Sequence, residues 1–103
     1  MNKFLDEIAV EIKQAFVAAG YREELGKVTV SNRPDLCEYQ CNGAMAGAKE
    51  YRVAPLKIAQ AVAERLQVSD SIFSLAEAVA PGFINLRVKA EFVRDYLERM
   101  AAV

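Results

Sequence analysis

The stretch that most constrains the fold is Val79-Ala80-Pro81-Gly82-Phe83-Ile84-Asn85-Leu86-Arg87-Val88. Pro81 pre-sets its own backbone angle and Gly82 tolerates a positive one, so the pair marks a turn. After it the residues alternate strictly, with Ile84, Leu86 and Val88 on one side and Phe83, Asn85 and Arg87 on the other. A strand sends successive side chains to opposite faces, so the aliphatic trio is expected to line a core. The other face then carries a ring, an amide and a guanidinium in a row. That set suits an unpaired RNA base, with the ring to stack on, the amide for a base edge and the cation for phosphate. The same alternation also fits Phe83 packing under a neighbouring helix, with Asn85 and Arg87 merely solvated.

The segment before the turn, Ile72 to Ala80, is apolar and is expected to pair with Phe83 to Val88. Strands joined by so tight a turn run antiparallel. The helices come from the 3.6-residue period. From Lys3 to Ala19, Phe4, Ile8, Ile12, Ala15, Phe16 and Ala19 form one apolar stripe, and Gly20 can take the left-handed conformation that ends a helix. Tyr21 to Gly26 reads as a polar connection and Lys27 to Ser31 as a short β-branched strand, broken by Asn32-Arg33-Pro34-Asp35. Within the stretch Leu36 to Ala48, the small residues from Gly43 to Ala48 suit a helix that approaches its neighbours closely, with a polar end at Lys49 to Arg52. Two glycines in it cost roughly 1 kcal/mol each against alanine unless Gly43 opens the helix. Ala54-Pro55 starts a third helix, marked by Ile58, Val62 and Leu66, and Gln67 to Ser71 is a loop. A closing helix from about Ala90 to Ala102 carries Phe92, Val93, Tyr96, Leu97 and Met100. The predicted order is helix, strand, helix, helix, strand, strand, helix. This is an α+β fold, a small antiparallel sheet packed by about four helices in one domain spanning residues 1–103.

Composition narrows the chemistry. Lys+Arg number 13 against 14 Asp+Glu, so the formal net charge is −1, without the basic excess of a free-standing nucleic-acid binder. Any RNA contact by this chain alone is therefore expected to be weak. With no histidine, Ser/His and Cys/His nucleophilic sites and imidazole-based zinc sites are excluded. There is no phosphate loop, and no carboxylate pair stands out from solvated helix charges, so no catalytic centre, metal or cofactor is expected in the chain. Cys37 and Cys41 lie four apart, a spacing that one helix face would juxtapose, but reduced, partly buried thiols are expected in a cytoplasmic setting. No apolar run approaches a membrane span, and Met1 to Glu7 lacks a signal peptide's basic start and apolar run.

Three ordered motifs carry a family resemblance over essentially the whole length. They are Glu38-Tyr39-Gln40-Cys41-Asn42-Gly43-Ala44-Met45, then Ala54-Pro55 with Ile58 and Ala59, then Ala80-Pro81-Gly82-Phe83-Ile84-Asn85. Together they resemble the N-terminal additional domain of arginyl-tRNA synthetases, which typically shows Gly-Asp-Tyr-Gln-x-Asn at the first motif and Gly-Pro-Gly-Phe-Ile-Asn at the last. Here Cys37-Glu38 replaces Gly-Asp, and Ala80 stands where relatives carry Gly or Asn, so Ala80 cannot supply the amide that Asn provides there. The resemblance implies a domain that leans on the outer corner of tRNA(Arg) and contacts its D-loop, with Phe83 and Asn85 as the base-reading pair. Arg87 joins them from strand alternation alone, as a phosphate neighbour. Tyr39, Gln40 and Asn42 are expected to serve packing first and RNA second.

By the same resemblance, arginine and ATP are used by a catalytic domain of the same polypeptide, whose His-Ile-Gly-His and Lys-Met-Ser-Lys-Ser type motifs are not in these residues. The chain is then an excised domain or a truncated product, with Val103 near the start of that catalytic domain. The competing expectation is a protein-interaction module, in which Phe92, Tyr96 and Met100 drive self-association of the isolated domain.

Overall fold

A computed structural model describes residues 3–33, 35–68 and 70–101. The readings that fell on Met1, Asn2, Pro34, Ser69, Ala102 and Val103 lie outside the described residues.

The apolar stripe of the first segment forms α1 (Lys3–Ala18), which buries Ile8, Ile12 and Phe16 completely. Gly20 ends it with φ 96°. The Gly20 N–H donates to the Val17 carbonyl at 3.0 Å and the Tyr21 N–H to the Phe16 carbonyl at 2.8 Å, the paired bonds of a Schellman cap. The connection expected from Tyr21 to Gly26 contains a 3-10 turn, Glu23–Leu25, which seats Leu25 in the core. A short strand, β1 (Val28–Val30), follows.

The expected order lacked one strand: ahead of the helix expected from Gly43, Tyr39–Cys41 forms β2. Its residues lack the β-branched character that marks β1, and the small-residue run after them dominated the pattern. Cys37 and Cys41 accordingly do not share a helix face. Both are free and buried, with the Cys37 thiol 3.3 Å from the Ser31 hydroxyl. Burial pushes the Cys41 thiol up to about 11, against a smaller opposing effect from the Gly43 backbone N–H.

Helix α2 (Gly43–Tyr51) begins at Gly43, where a Cβ would overlap the Leu25 carbonyl oxygen. The glycine is therefore required by close approach of two backbones. Helix α3 (Pro55–Leu66) has Pro55 in its first turn and buries Ile58, Ala59, Val62, Ala63 and Leu66. Strands β3 (Phe73–Val79) and β4 (Phe83–Val88) form the expected hairpin across Pro81-Gly82, with a cis bond between Ala80 and Pro81.

The four strands make one antiparallel sheet in the order β1-β2-β4-β3. Among the described residues, four helices accompany it, an α+β fold as the sequence indicates. Ile84, Leu86 and Val88 of β4 face the helices; Ile84 and Leu86 are fully buried with Ile8, Ile12, Phe16, Ile58 and Val62. Each such side chain contributes about 1.5–3 kcal/mol on leaving water. The last helix, α4 (Ala90–Ala101), buries none of its residues. It is held through Phe4, whose ring meets Phe92 at 5.6 Å and Tyr96 at 4.9 Å, and by an exposed Arg99–Glu7 ion pair at 3.0 Å. No helix among the described residues is long and apolar enough to cross a membrane.

Candidate nucleic-acid interface

The helices cover one face of the sheet, and strand register fixes what the other face displays. Along β4 the burial alternates, and Phe83, Asn85 and Arg87 are half-buried between the buried aliphatic positions. The sequence reading of their common face therefore agrees with the pleat. Phe83 stands outside the hydrophobic cluster that Phe4, Tyr39 and Phe92 join from its edges.

The middle row of this face runs across all four strands. Thr29 of β1 pairs with Gln40 of β2, Gln40 with Asn85 of β4, and Asn85 with Glu77 of β3. Gln40 and Asn85 also touch through their side chains, Gln40 Nε2 donating to Asn85 Oδ1 at 3.0 Å. This contact, between residues 45 apart in sequence, was not legible from spacing. It gives Gln40 a place on the open face beside the amide singled out in the last motif.

Arg87 is less free than strand alternation suggested. Its Nη2 donates to the Asp35 carbonyl at 3.1 Å, tying β4 to the loop before β2. The Asp35 carboxylate is held below its usual range chiefly by hydrogen bonding to the Arg33 side chain, with Arg87 a small further contribution. Glu38, which replaces the aspartate usual in the first motif, accepts the Val88 N–H on Oε1 at 2.8 Å, while its own N–H donates to the Leu86 carbonyl. The departure Cys37-Glu38 thus closes the β2–β4 ladder at this end. Tyr39 turns the other way and packs its ring 6.3 Å from Phe4. Burial, and secondarily Glu38, raises its phenol above the ordinary range.

The three motifs meet at the turn. A Cβ on Gly82 would stand 2.5 Å from Pro55 Cβ and 3.0 Å from Met45 Sδ. The second motif's proline and the first motif's methionine therefore form the seat of the loop that aims Phe83. Asn42, the residue before α2, is exposed and its side chain makes no capping bond. Ala80 is exposed at the rim and offers no polar group. Among the described residues, no three His, Cys, Asp or Glu side chains are grouped so as to hold a metal ion.

A face with a ring, a fixed amide pair and a guanidinium at its edge can stack one base, hydrogen-bond its edge and approach a phosphate. Comparison with known proteins adds the lineage. Residues 2–88 match the model of the arginyl tRNA synthetase N terminal domain. An arginine–tRNA ligase of Agathobacter rectalis is 52% identical over 97% of this chain, and one of Alkaliphilus oremlandii is 41% identical over 97%. The chain spans 17% of the length of each. Among solved structures, arginyl-tRNA synthetase from Plasmodium falciparum superposes with a TM-score of 0.76 at 19% identity, over 94% of this chain and 18% of that one. Its likeness concerns the fold alone. The Thermus thermophilus arginyl-tRNA synthetase gives 0.68 at 25% identity, over 89% of this chain and 15% of that one. With its three motifs gathered at one turn and the family model matching nearly its whole length, the chain belongs to the arginyl-tRNA synthetase N-terminal domain family.

Proposed function

We propose that this domain contacts tRNA(Arg) through the open face of its sheet, at the D-loop and outer corner, in support of arginine–tRNA ligation. The observation that carries the reading is the half-buried Phe83, outside the hydrophobic cluster, beside Asn85 on the face that the helices leave open. Phe83 stacks on an unpaired base, Asn85 meets its edge, and Arg87 lies within reach of a phosphate while bracing the Asp35 loop. Arginine and ATP are substrates of the remainder of the full-length enzyme, whose catalytic domain is this domain's partner in the same polypeptide; the setting is cytoplasmic. With a net charge of −1, the isolated domain binds weakly and adds discrimination to tighter contacts made elsewhere.

The test is titration of the 103-residue chain with tRNA(Arg) at low salt. Stacking of one base is worth about 1–3 kcal/mol, so Phe83→Ala is expected to weaken binding roughly five- to a hundredfold. Equal affinity for the wild type and Phe83→Ala sinks the assignment.

A second reading, a self-associating module, rests on α4: of the residues expected to drive it, Phe92 and Tyr96 pack on Phe4, while Met100 is 55% exposed beside Val93 at 37% and Leu97 at 60%. Sedimentation across a concentration series separates the two. A monomer at all concentrations removes this reading and leaves the first untouched.

A further inference from the structure

Asn85 has one carbonyl and one NH2 group, and which of them faces outward decides what it can read. Its neighbours on the sheet differ in chemistry. On the β2 side Gln40 donates from Nε2 to Asn85 Oδ1 at 3.0 Å, so the carbonyl is engaged. On the β3 side Glu77 is the direct cross-strand partner of Asn85, and such partners have Cβ atoms about 4.5–5.5 Å apart. An ionised carboxylate only accepts hydrogen bonds. Turning the Asn85 carbonyl toward Glu77 would set two acceptors against each other, whereas the NH2 group is compatible with it. Both neighbours thus select the same orientation, and the chain's backbone pairing on either side holds all three residues in one row.

We infer that Gln40 is a positioning residue for recognition, orienting the Asn85 amide so that its NH2 group is the one turned to a ligand, with the Glu77 carboxylate as the adjoining acceptor. The inference rests on the RNA-binding face proposed above. It names the chemistry of the base that face takes, one presenting a carbonyl or ring-nitrogen acceptor toward Asn85 and an N–H toward Glu77. Gln40 acts without itself needing to touch the base, which is how it differs from a residue that merely packs.

The orientation follows from partner chemistry, so reversing the partner should reverse it. Gln40→Glu has nearly the same shape but can only accept when ionised, and it draws the Asn85 NH2 toward β2 and leaves Oδ1 outward. Gln40→Met keeps the bulk and removes the lock. The probe is a set of tRNA(Arg) transcripts in which each unpaired D-loop base is replaced in turn by the other three. At the position where replacement matters, the wild-type chain is expected to separate the best from the worst base by about fivefold or more. Gln40→Glu is expected to change which base is preferred there, exchanging uracil with cytosine or guanine with adenine. Gln40→Met flattens the ratio.

Loss of affinity by Phe83→Ala together with an unchanged base order in Gln40→Glu overturns the lock and keeps the RNA face. No loss in Phe83→Ala overturns the face itself. A second measurement needs no variant: in NMR of the wild-type chain the Gln40 side-chain NH2 should exchange with solvent more slowly than that of Asn85. The opposite order overturns the assigned direction of the bond.

Discussion

The substitution Gly43→Ala separates two physical accounts of α2. On helix propensity alone, replacing a glycine by alanine is favourable by up to about 1 kcal/mol. The packing says the reverse. An added Cβ at Gly43 overlaps the Leu25 carbonyl oxygen and would lie 2.7 Å from the Leu25 carbonyl carbon, both backbone atoms with no rotamer to relieve the contact. Leu25 cannot retreat without cost, because its side chain is 5% exposed in the core and its carbonyl accepts the Lys27 N–H at 2.9 Å. Overpacking in such a place costs about 3 kcal/mol at the severe end of its range, so after the propensity gain a net loss of about 2 kcal/mol is expected. For a domain of roughly 100 residues each 1 kcal/mol moves the midpoint by about 4–8 °C, which puts the fall in Tm at about 8–16 °C. Gly47→Ala is the internal control: its Cβ would meet the Leu25 Cδ1 at 3.0 Å and Ile58 Cδ1 at 3.4 Å, side-chain ends that need give only a few tenths of an ångström, where the Leu25 backbone at Gly43 would have to move much further. It should lie within about 1 kcal/mol of wild type. Thermal and urea unfolding followed by circular dichroism measure both. A Gly43→Ala chain as stable as wild type, or less perturbed than Gly47→Ala, refutes the close-approach account.

The Cys41 thiol, raised to about 11 from 9.0, makes stability fall as pH rises through that window, because the unfolded chain releases the proton first. The loss is of order 1–3 kcal/mol by pH 11, and Cys41→Ala should flatten that part of the urea-midpoint profile; an unchanged alkaline slope contradicts it. Phe4→Ala removes the ring that holds Phe92 and Tyr96, so amides of α4 should exchange at least several-fold faster while those of α3 change little. Uniform acceleration in both helices would show instead that α4 is not separately held. Arg99→Ala, which deletes an exposed ion pair with Glu7 and the guanidinium lying 5.6 Å from the Tyr96 ring centre, should shift stability by no more than about 1–2 kcal/mol in the same unfolding assay.

Much of the fold was legible because its larger elements carry clear periods. The stripe from Phe4 to Phe16, the aliphatic spacing from Ile58 to Leu66 and the alternation from Phe83 to Val88 each correspond to an element whose apolar side is buried. Strand β2 was not legible, since Tyr-Gln-Cys is as short as β1 but lacks the β-branched residues that mark Val28–Val30, and it is recognised only by its pairing with β1 and β4. The shared face of Phe83, Asn85 and Arg87 could be read from parity alone. What surrounds it could not: the Gln40–Asn85 bond and the Arg87–Asp35 contact join residues 45 and 52 positions apart. Local sequence holds no record of such partners. Tyr39, Gln40 and Asn42 were expected to serve packing first and RNA second; Tyr39 is turned toward the core side, where it meets Phe4, Gln40 pairs with Asn85 on the other face, and Asn42 is exposed.

The contact of Gly82 with Pro55 and Met45 has a consequence for how such a domain diversifies. The turn ahead of Phe83 has no room of its own, since it sits directly on the first turn of α3 and a side chain of α2. Positions 45, 55 and 82 are therefore sterically coupled, and a turn grafted from elsewhere brings its ring to the same height only if its seat travels with it. Side chains of the open face carry no such tie to the seat. On the proposed reading of this face, exchanging Asn85, Glu77 or Gln40 one at a time would change which base is preferred while the platform beneath them stays in place.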